Sequence, residues 1–343
     1  MNDIKSMTLP ELQNWIVEQG EPKYRAEQLY KWMHANRARS FEDMNNIPKA
    51  LKAKCSELGE LVTIRKVDVQ ISKDKTRKYL FAMSDGSLVE SVWMDYQYGA
   101  SVCISSQVGC RMGCKFCAST LDGLSRNLTA SEMLEQIYMI DADTGTRVSH
   151  VVVMGTGEPM DNYDNLVNFI KILTSPEGYN LSRRNITVST CGIVERIKDF
   201  ADENLGVTLA ISLHAPEDSK RQTIMPIALK YSIEELMGAA MYYFEKTGRR
   251  VTFEYALAEG VNDTEEDIQR LADLSGRVKA HVNLIPVNPV TERGYNPSSR
   301  KRVLAFKNKL ENQGINVTIR RELGQDIDGA CGQLRKRHLE EVQ

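Results

Sequence analysis

Cys110, Cys114 and Cys117 stand in C-x3-C-x2-C spacing within eight residues, directly after the apolar run 101–106. Three thiolates this close can converge on one small object, and their spacing points to iron–sulfur. A cubane cluster has four irons, so three cysteines leave one iron open to an exogenous ligand. Electron-carrying ferredoxins supply a fourth cysteine. A structural zinc site also closes four ligands, commonly as two C-x2-C knuckles. No further cysteine or histidine follows Cys117 closely; the next cysteine is Cys191. Zinc, or a coincidental grouping of cysteines, stays open as the alternative.

Other chemistry-bearing residues are spread along the chain. Gly155-Thr156-Gly157-Glu158-Pro159 is a weak signal alone, since its glycines can serve only a tight turn. Ser189-Thr190 and Ser212-Leu213-His214 offer hydroxyls and an imidazole, and Asn288 lies in Ile285-Pro286-Val287-Asn288-Pro289. A lone histidine such as His214 is more often a hydrogen-bonded structural residue than a ligand. Glu90, flanked by Val89, Val92 and Trp93, either faces solvent on a strand alternation or serves a site, and the pattern favours solvent. Cys331, between Gly329 and Gly332, has the glycine neighbours of a thiol carried on a tightly turning backbone.

The elements that position these residues follow from periodicity. Residues 1–60 read as short helices over 10–19, 24–36 and 48–58, punctuated by Gly20, Pro22 and Pro48. Trp15, Tyr24, Leu29, Tyr30 and Trp32 are the expected core of this small helical domain. From Leu61 the pattern turns to β-branched alternation, predicting strands at 62–72, 78–83 and 88–94 in a connecting region, 61–98, with a hairpin turn at Ser84-Asp85-Gly86. Beyond it, strands at 102–105, 150–154, 185–190, 207–213, 251–258 and 280–286 alternate with helices at 129–143, 164–173, 193–203, 233–247, 265–274 and 299–313. Six strand–helix units predict an α/β fold, a partial (βα)6 parallel barrel over 99–343 that ends in the Cys331 loop. Reactive groups of such a barrel gather at the carboxyl ends of its strands, and the cysteine triad, the Gly-Glu-Pro turn and the two serines all fall there.

Composition narrows the setting. The 343 residues are 42% hydrophobic and 26% charged, as in ordinary globular proteins. No apolar run approaches the ~18 residues of a membrane span, and the first ten residues do not read as a signal peptide. Seven cysteines, three of them clustered, are no secreted disulfide framework, and an oxygen-labile cluster fits a reducing cytoplasm. A formal net charge of −2 announces no nucleic-acid binding, but Arg65, Lys66, Lys73, Lys75, Arg77 and Lys78 crowd one stretch. That run is equally a solvated face or a phosphate-binding patch.

The cysteine spacing, with Phe116 before the last cysteine, resembles the signature of the radical S-adenosylmethionine (SAM) superfamily, in which SAM chelates the open iron through its amino and carboxylate groups. The whole chain resembles one family in it, the dual-specificity RNA methyltransferases that methylate carbon 2 of adenosine in 23S ribosomal RNA and in certain transfer RNAs. The matching stretches are 103–117 (CISSQVGCRMGCKFC), 124–129 (LSRNLT), 154–163 (MGTGEPMDNY), 189–192 (STCG), 210–216 (AISLHAP), 282–289 (VNLIPVNP) and 326–334 (DIDGACGQL). Residues 1–60 resemble the family's small RNA-binding domain less specifically. Gly157-Glu158-Pro159 before Asp161-Asn162-Tyr163 looks like the carbon-2 branch rather than the relative that methylates carbon 8.

The resemblance implies one [4Fe-4S] cluster on Cys110, Cys114 and Cys117, and two SAM molecules per turnover. SAM contacts would come from Gly157, Glu158, Ser189, Ser212, Leu213, His214 and Asn288. Carbon 2 of adenine yields no nucleophile, so the implied route is radical. Cys331 takes a methyl group from one SAM, and a deoxyadenosyl radical from a second removes hydrogen from that methyl. The methylene radical adds to carbon 2, the adduct loses an electron and gives its ring proton to Glu90, and the Cys103 thiol then attacks the Cys331 sulfur, breaking its bond to the product and leaving a Cys103–Cys331 disulfide. The implied partners are 23S rRNA before full ribosome assembly, tRNA next to the anticodon, and a reductant such as flavodoxin or ferredoxin, acting on a monomer. A carbon-8 methyltransferase, or a non-catalytic cluster- or zinc-binding RNA protein, are the competing readings.

Overall fold

A computed structural model of the chain describes residues 3–286, 294–321, 323–324, 326–327, 334–335 and 337–338. The chain opens with α1 (Leu9–Glu18), α2 (Tyr24–Tyr30) and α3 (Lys49–Ser56). Thr8 and Glu11 satisfy each other's backbone groups in a capping box, with Pro10 in the first turn, so α1 begins where the sequence says it should. α2 continues into a single π turn, Lys31–Ala35. Leu29 and Tyr30 are buried as expected, whereas Tyr24 is 51% exposed and belongs to no core. Leu12, Leu29 and Leu51 join the same continuous apolar cluster as the sheet and its helices.

Next come β1 (Ile64–Ile71), β2 (Arg77–Met83), β3 (Leu88–Tyr96) and β4 (Gly99–Ile104), paired antiparallel in order. A short hairpin, β5 (Gln107–Gly109) and β6 (Leu124–Asn127), stands apart from the main sheet. The alternating part runs α4 (Ala130–Thr144), β7 (His150–Val153), α5 (Tyr163–Leu173), β8 (Ile186–Thr190), α6 (Val194–Asp202), β9 (Thr208–Ser212), α7 (Asp218–Ile224), α8 (Ile233–Thr247), β10 (Thr252–Leu257), α9 (Glu265–Arg277), β11 (His281–Pro286), α10 (Arg300–Asn312) and β12 (Val317–Ile319). β4 and β7 to β12 are parallel neighbours, giving the six expected barrel strands plus β12. β5, β6 and β12, three or four residues each, are too short for a legible alternation, and α7 has only two turns in which to show a helical period, so none of them was expected.

Alternation sorts each strand into two faces. Val102 and Ile104, Val151 and Val153, Leu209 and Ile211, Phe253 and Tyr255, and Val282 and Leu284 enter the core beneath the helices. The residues between them face the opposite side, the barrel lumen. Register places Cys103 beside Val92, and Glu254 between Ser212 and Asn283. Val152 is only half-buried, so β7 is open on its lumen face. Among the described residues no helix is long and apolar enough to cross a membrane.

Candidate active site

The β5–β6 hairpin closes the loop that carries the three cysteines. The Cys110 amide donates to the Gly123 carbonyl at 2.8 Å. Gly109, at φ +77°, permits this closure, because a Cβ there would collide with that carbonyl. The Thr120 hydroxyl bridges the Cys114 and Cys117 carbonyls at 3.1 and 3.0 Å, and the Lys115 amide donates to the Ile224 carbonyl of α7 at 2.8 Å. Burial pushes the Cys110 thiol up to about 12 and the Cys114 thiol up as well, with the neighbouring thiols and Glu158 adding to both. Binding iron there must displace those protons.

All three cysteines line one cavity of about 190 Å³, together with Gly157, Glu158, Ser189, Ser212 and His214. Among the described residues no three His, Cys, Asp or Glu side chains converge as a single metal ion requires. A cubane places each thiolate on a separate iron, so three thiols, two buried and one half-buried, lining one cavity fit such a cluster.

The turn after β7 is locked onto the hairpin. Gly157 sits at φ +109°, and a Cβ there would lie 2.6 Å from the Gln107 Cβ. The Glu158 amide donates to Gln107 Oε1 at 2.8 Å, and its carboxylate accepts from the Met160 amide at 3.0 Å and the Cys191 amide at 2.7 Å. Burial raises the Glu158 pKa and those hydrogen bonds oppose the rise. Ser189 and Ser212 end their strands half-buried on the cavity. His214, at φ +55°, accepts from the Ala256 amide at Nδ1 (2.9 Å), and burial lowers it to about 3, so its ring is neutral. Leu213 does not line the cavity: its side chain lies in the main core, its amide donates to the Glu254 carbonyl, and its carbonyl accepts from Arg221.

Glu90 corrects the solvent-facing reading. It is 4% exposed, 3.1 Å from the fully buried Nζ of Lys78, and accepts from the Arg335 amide at 2.8 Å. The alternation does put Glu90 opposite Val89, but helices cover one face and the lumen the other, so neither face is solvent. The basic run is likewise split. Lys78 serves Glu90, Lys66 and Arg77 pair with Asp143, and Arg65, Lys73 and Lys75 stay exposed. Cys103 is buried on the same face of the sheet as Glu90.

The described residues on either side of 328–333 are anchored. Ser72 donates to Asp326, the Lys73 amide donates to Asp326 Oδ2 at 3.1 Å, and the Gly324 amide donates to Asp74 Oδ2 at 2.9 Å. Arg335, on the other side, meets Glu90. Cys331 and Asn288 themselves lie outside the described residues. Beside this anchorage is a cleft of about 900 Å³, lined by Lys73, Arg300, Arg320 and Arg321 with Asp74 and Asp326.

Sequence reasoning missed Lys78, Gln107, Arg221 and Glu254. A carboxylate inside the apolar run 251–258 was a signal of the same kind as Glu90. Nothing local distinguished Lys78, Gln107 or Arg221.

Residues 104–274 match the pattern of the radical SAM superfamily, and residues 2–61 match the ribosomal RNA large subunit methyltransferase N-terminal domain. A chain of Lachnospira eligens described as a probable dual-specificity RNA methyltransferase RlmN is 59% identical, over 100% of this chain and 98% of that one. One from Geobacillus kaustophilus with the same description is 51% identical over 98% and 93%. A solved radical SAM methyltransferase from Sphaerobacter thermophilus superposes with a TM-score of 0.89 at 40% identity, covering 96% of this chain and 98% of that one.

Proposed function

Because the chain belongs to the dual-specificity RNA methyltransferase family of the radical SAM superfamily, we propose that it methylates carbon 2 of a specific adenosine in 23S rRNA and in tRNA next to the anticodon. The family implies a [4Fe-4S] cluster and bound SAM. Together they supply, when bound and reduced, a carbon radical able to attack a methyl group. Cys110, Cys114 and Cys117 hold the cluster. Gly157 and Glu158 receive the SAM amino group, while Ser189, Ser212, His214 and Asn288 hold the remainder. Two SAM molecules are consumed, one to methylate Cys331 and one to activate that methyl.

Glu90 accepts the proton from carbon 2, its orientation set by Lys78 and the Arg335 amide. Cys103 resolves the RNA–Cys331 link by thiol attack, which needs a buried but reachable sulfur beside the carrier. The observation that carries this reading is the Arg335–Glu90 hydrogen bond, which ties the chain four residues after Cys331 to the lumen that holds Glu90 and Cys103. RNA must present an unstacked adenosine, and the basic cleft offers Lys73, Arg300, Arg320 and Arg321 to its phosphates. A flavodoxin- or ferredoxin-type donor would supply electrons to a monomeric enzyme in the cytoplasm.

The test is a pair of variants. Cys331→Ala should form no RNA adduct, because it lacks the methyl carrier. Cys103→Ala should accumulate a covalent protein–RNA complex, seen as a slow species in a denaturing gel, with the link mapping to Cys331. Normal turnover by Cys103→Ala without that complex would remove the resolving step. Mass spectrometry of product nucleosides separates carbon 2 from carbon 8.

A further inference from the structure

Among the described residues, Arg221 is the largest side chain sealed completely inside the protein. Its Nε donates to the Leu213 carbonyl at 3.1 Å, and Nη2 donates to the carbonyls of Cys191 at 2.7 Å and Ser212 at 3.3 Å. Nη1 is buried and has no hydrogen-bond partner among the described residues. Among the described residues no carboxylate lies within ion-pair distance of the guanidinium. Asp218, on the same helix, acts on it only at longer range, and its carboxylate accepts from the Ile233 amide. The carbonyls satisfy donors at the ends of β8 and β9, but they leave a whole positive charge in a low-dielectric interior. An uncompensated buried charge of this kind costs several kcal/mol, and proteins hold one only opposite an anion.

The missing anion is implied by what lies beside it. α7, which carries Arg221, receives the Lys115 amide of the cysteine loop, and Cys114, Cys191, Ile224 and Met225 pack into one apolar cluster. The field of Arg221 reaches the sulfurs of Cys114 and Cys191. A two-plus cubane on three thiolates carries one net negative charge, and two once reduced. A fixed cation behind it stabilises both states, and the reduced state more.

We propose that Arg221 is the fixed counter-charge of the iron–sulfur cluster, a tuning residue that raises its reduction potential and helps retain it. This rests on the cluster assignment made above. Burial is what gives the charge its reach, since a surface arginine would be screened by water and salt. Tying the guanidinium to three strand-end carbonyls holds it still, so no reorganisation is needed when the electron arrives.

The test uses the full chain, reconstituted anaerobically with iron and sulfide and titrated with dithionite under electron paramagnetic resonance. Arg221→Met removes the charge at similar length, and Arg221→Lys keeps it while losing the planar fan of donors. Arg221→Met should make reduction at least tenfold less favourable, a downward shift of about 59 mV for one electron. Arg221→Lys should stay closer to the parent. Loss of iron by Arg221→Met, while its cluster-free form melts like the cluster-free parent, also supports the proposal. An unchanged potential in Arg221→Met at full iron content overturns it and leaves a structural tie. If Arg221→Met does not fold, Arg221→Lys decides: a drop of tenfold or more with the charge retained rejects the counter-charge, and a smaller change upholds it. Should the parent itself take up no cluster, the assignment of Cys110, Cys114 and Cys117 fails instead.

Discussion

Lys78 and Glu90 are an ion pair almost sealed from water, and the energetics of such pairs are asymmetric. Forming one gains little over a well-packed apolar pair, whereas removing one partner strands a charge. Lys78→Met should therefore destabilise the protein by about 3–5 kcal/mol, read as a lowered urea midpoint. Adding Glu90→Leu to that variant should recover most of the stability while leaving the enzyme inactive. Glu254 makes a second statement at this scale. Its carboxyl accepts from Asn283 Nδ2 at 2.8 Å, and burial raises it from 4.5 to about 7. Between those values the folded state keeps a proton that the unfolded chain has lost. This stabilising contribution is thus whole below the unfolded value and is lost as pH climbs through the folded one. It amounts to about 3 kcal/mol at ~1.4 kcal/mol per unit. Glu254→Gln should flatten the fall in stability between about pH 4.5 and 7.5 in the cluster-free protein. A fall of undiminished slope would assign it to other groups.

Two short elements absent from any periodicity do most of the positioning. The β5–β6 hairpin pins both ends of the cysteine loop and, through Gln107, the Glu158 amide. Gly109→Ala must open that closure, so iron content should fall while the main melting transition moves by only a few degrees, because the hairpin stands outside the ten-stranded sheet. The β1–β2 turn plays the same part for the C-terminal segment. Asp74 is held ionised, at about 2, by hydrogen bonds from Gly324, Thr76 and Ser72 that outweigh its modest burial. Asp326→Ala and Asp74→Ala together should free residues 324–327, raising protease cleavage there and lowering RNA methylation, with SAM cleavage in the absence of RNA preserved.

At the scale of the molecule, a chain with a net charge of −2 must concentrate its positive charge where RNA binds. The cleft between the β1–β2 turn and the end of β12 gathers Lys73, Arg300, Arg320 and Arg321, as the proposed RNA site requires. Replacing Lys73, Arg320 and Arg321 with Gln should weaken RNA binding. The dependence of log K on log salt should fall by roughly 0.7–0.9 for each phosphate no longer neutralised. An equal change at Lys66, already paired with Asp143, should leave that slope nearly untouched.

What the sequence determined by itself was whatever is local or repetitive. The C-x3-C-x2-C triad, the Gly157-Glu158 turn, six barrel strands and their helices each carry their signal within a few consecutive residues. Cavity-lining side chains at strand ends, such as Ser189 and Ser212, followed from the barrel rule. Tertiary structure decided what depends on residues far apart in the chain. Glu90 reads as a surface residue until β2 supplies Lys78 and the C-terminal segment supplies the Arg335 amide, 245 positions away. Lys78 reads as one of six crowded cations until the sheet turns it inward. Arg221 reads as an ordinary helix residue until β8 and β9 bring three carbonyls and the cysteine loop around it. Periodicity reports which face of its own element a residue occupies; which charge it must answer is set by the elements packed against that face.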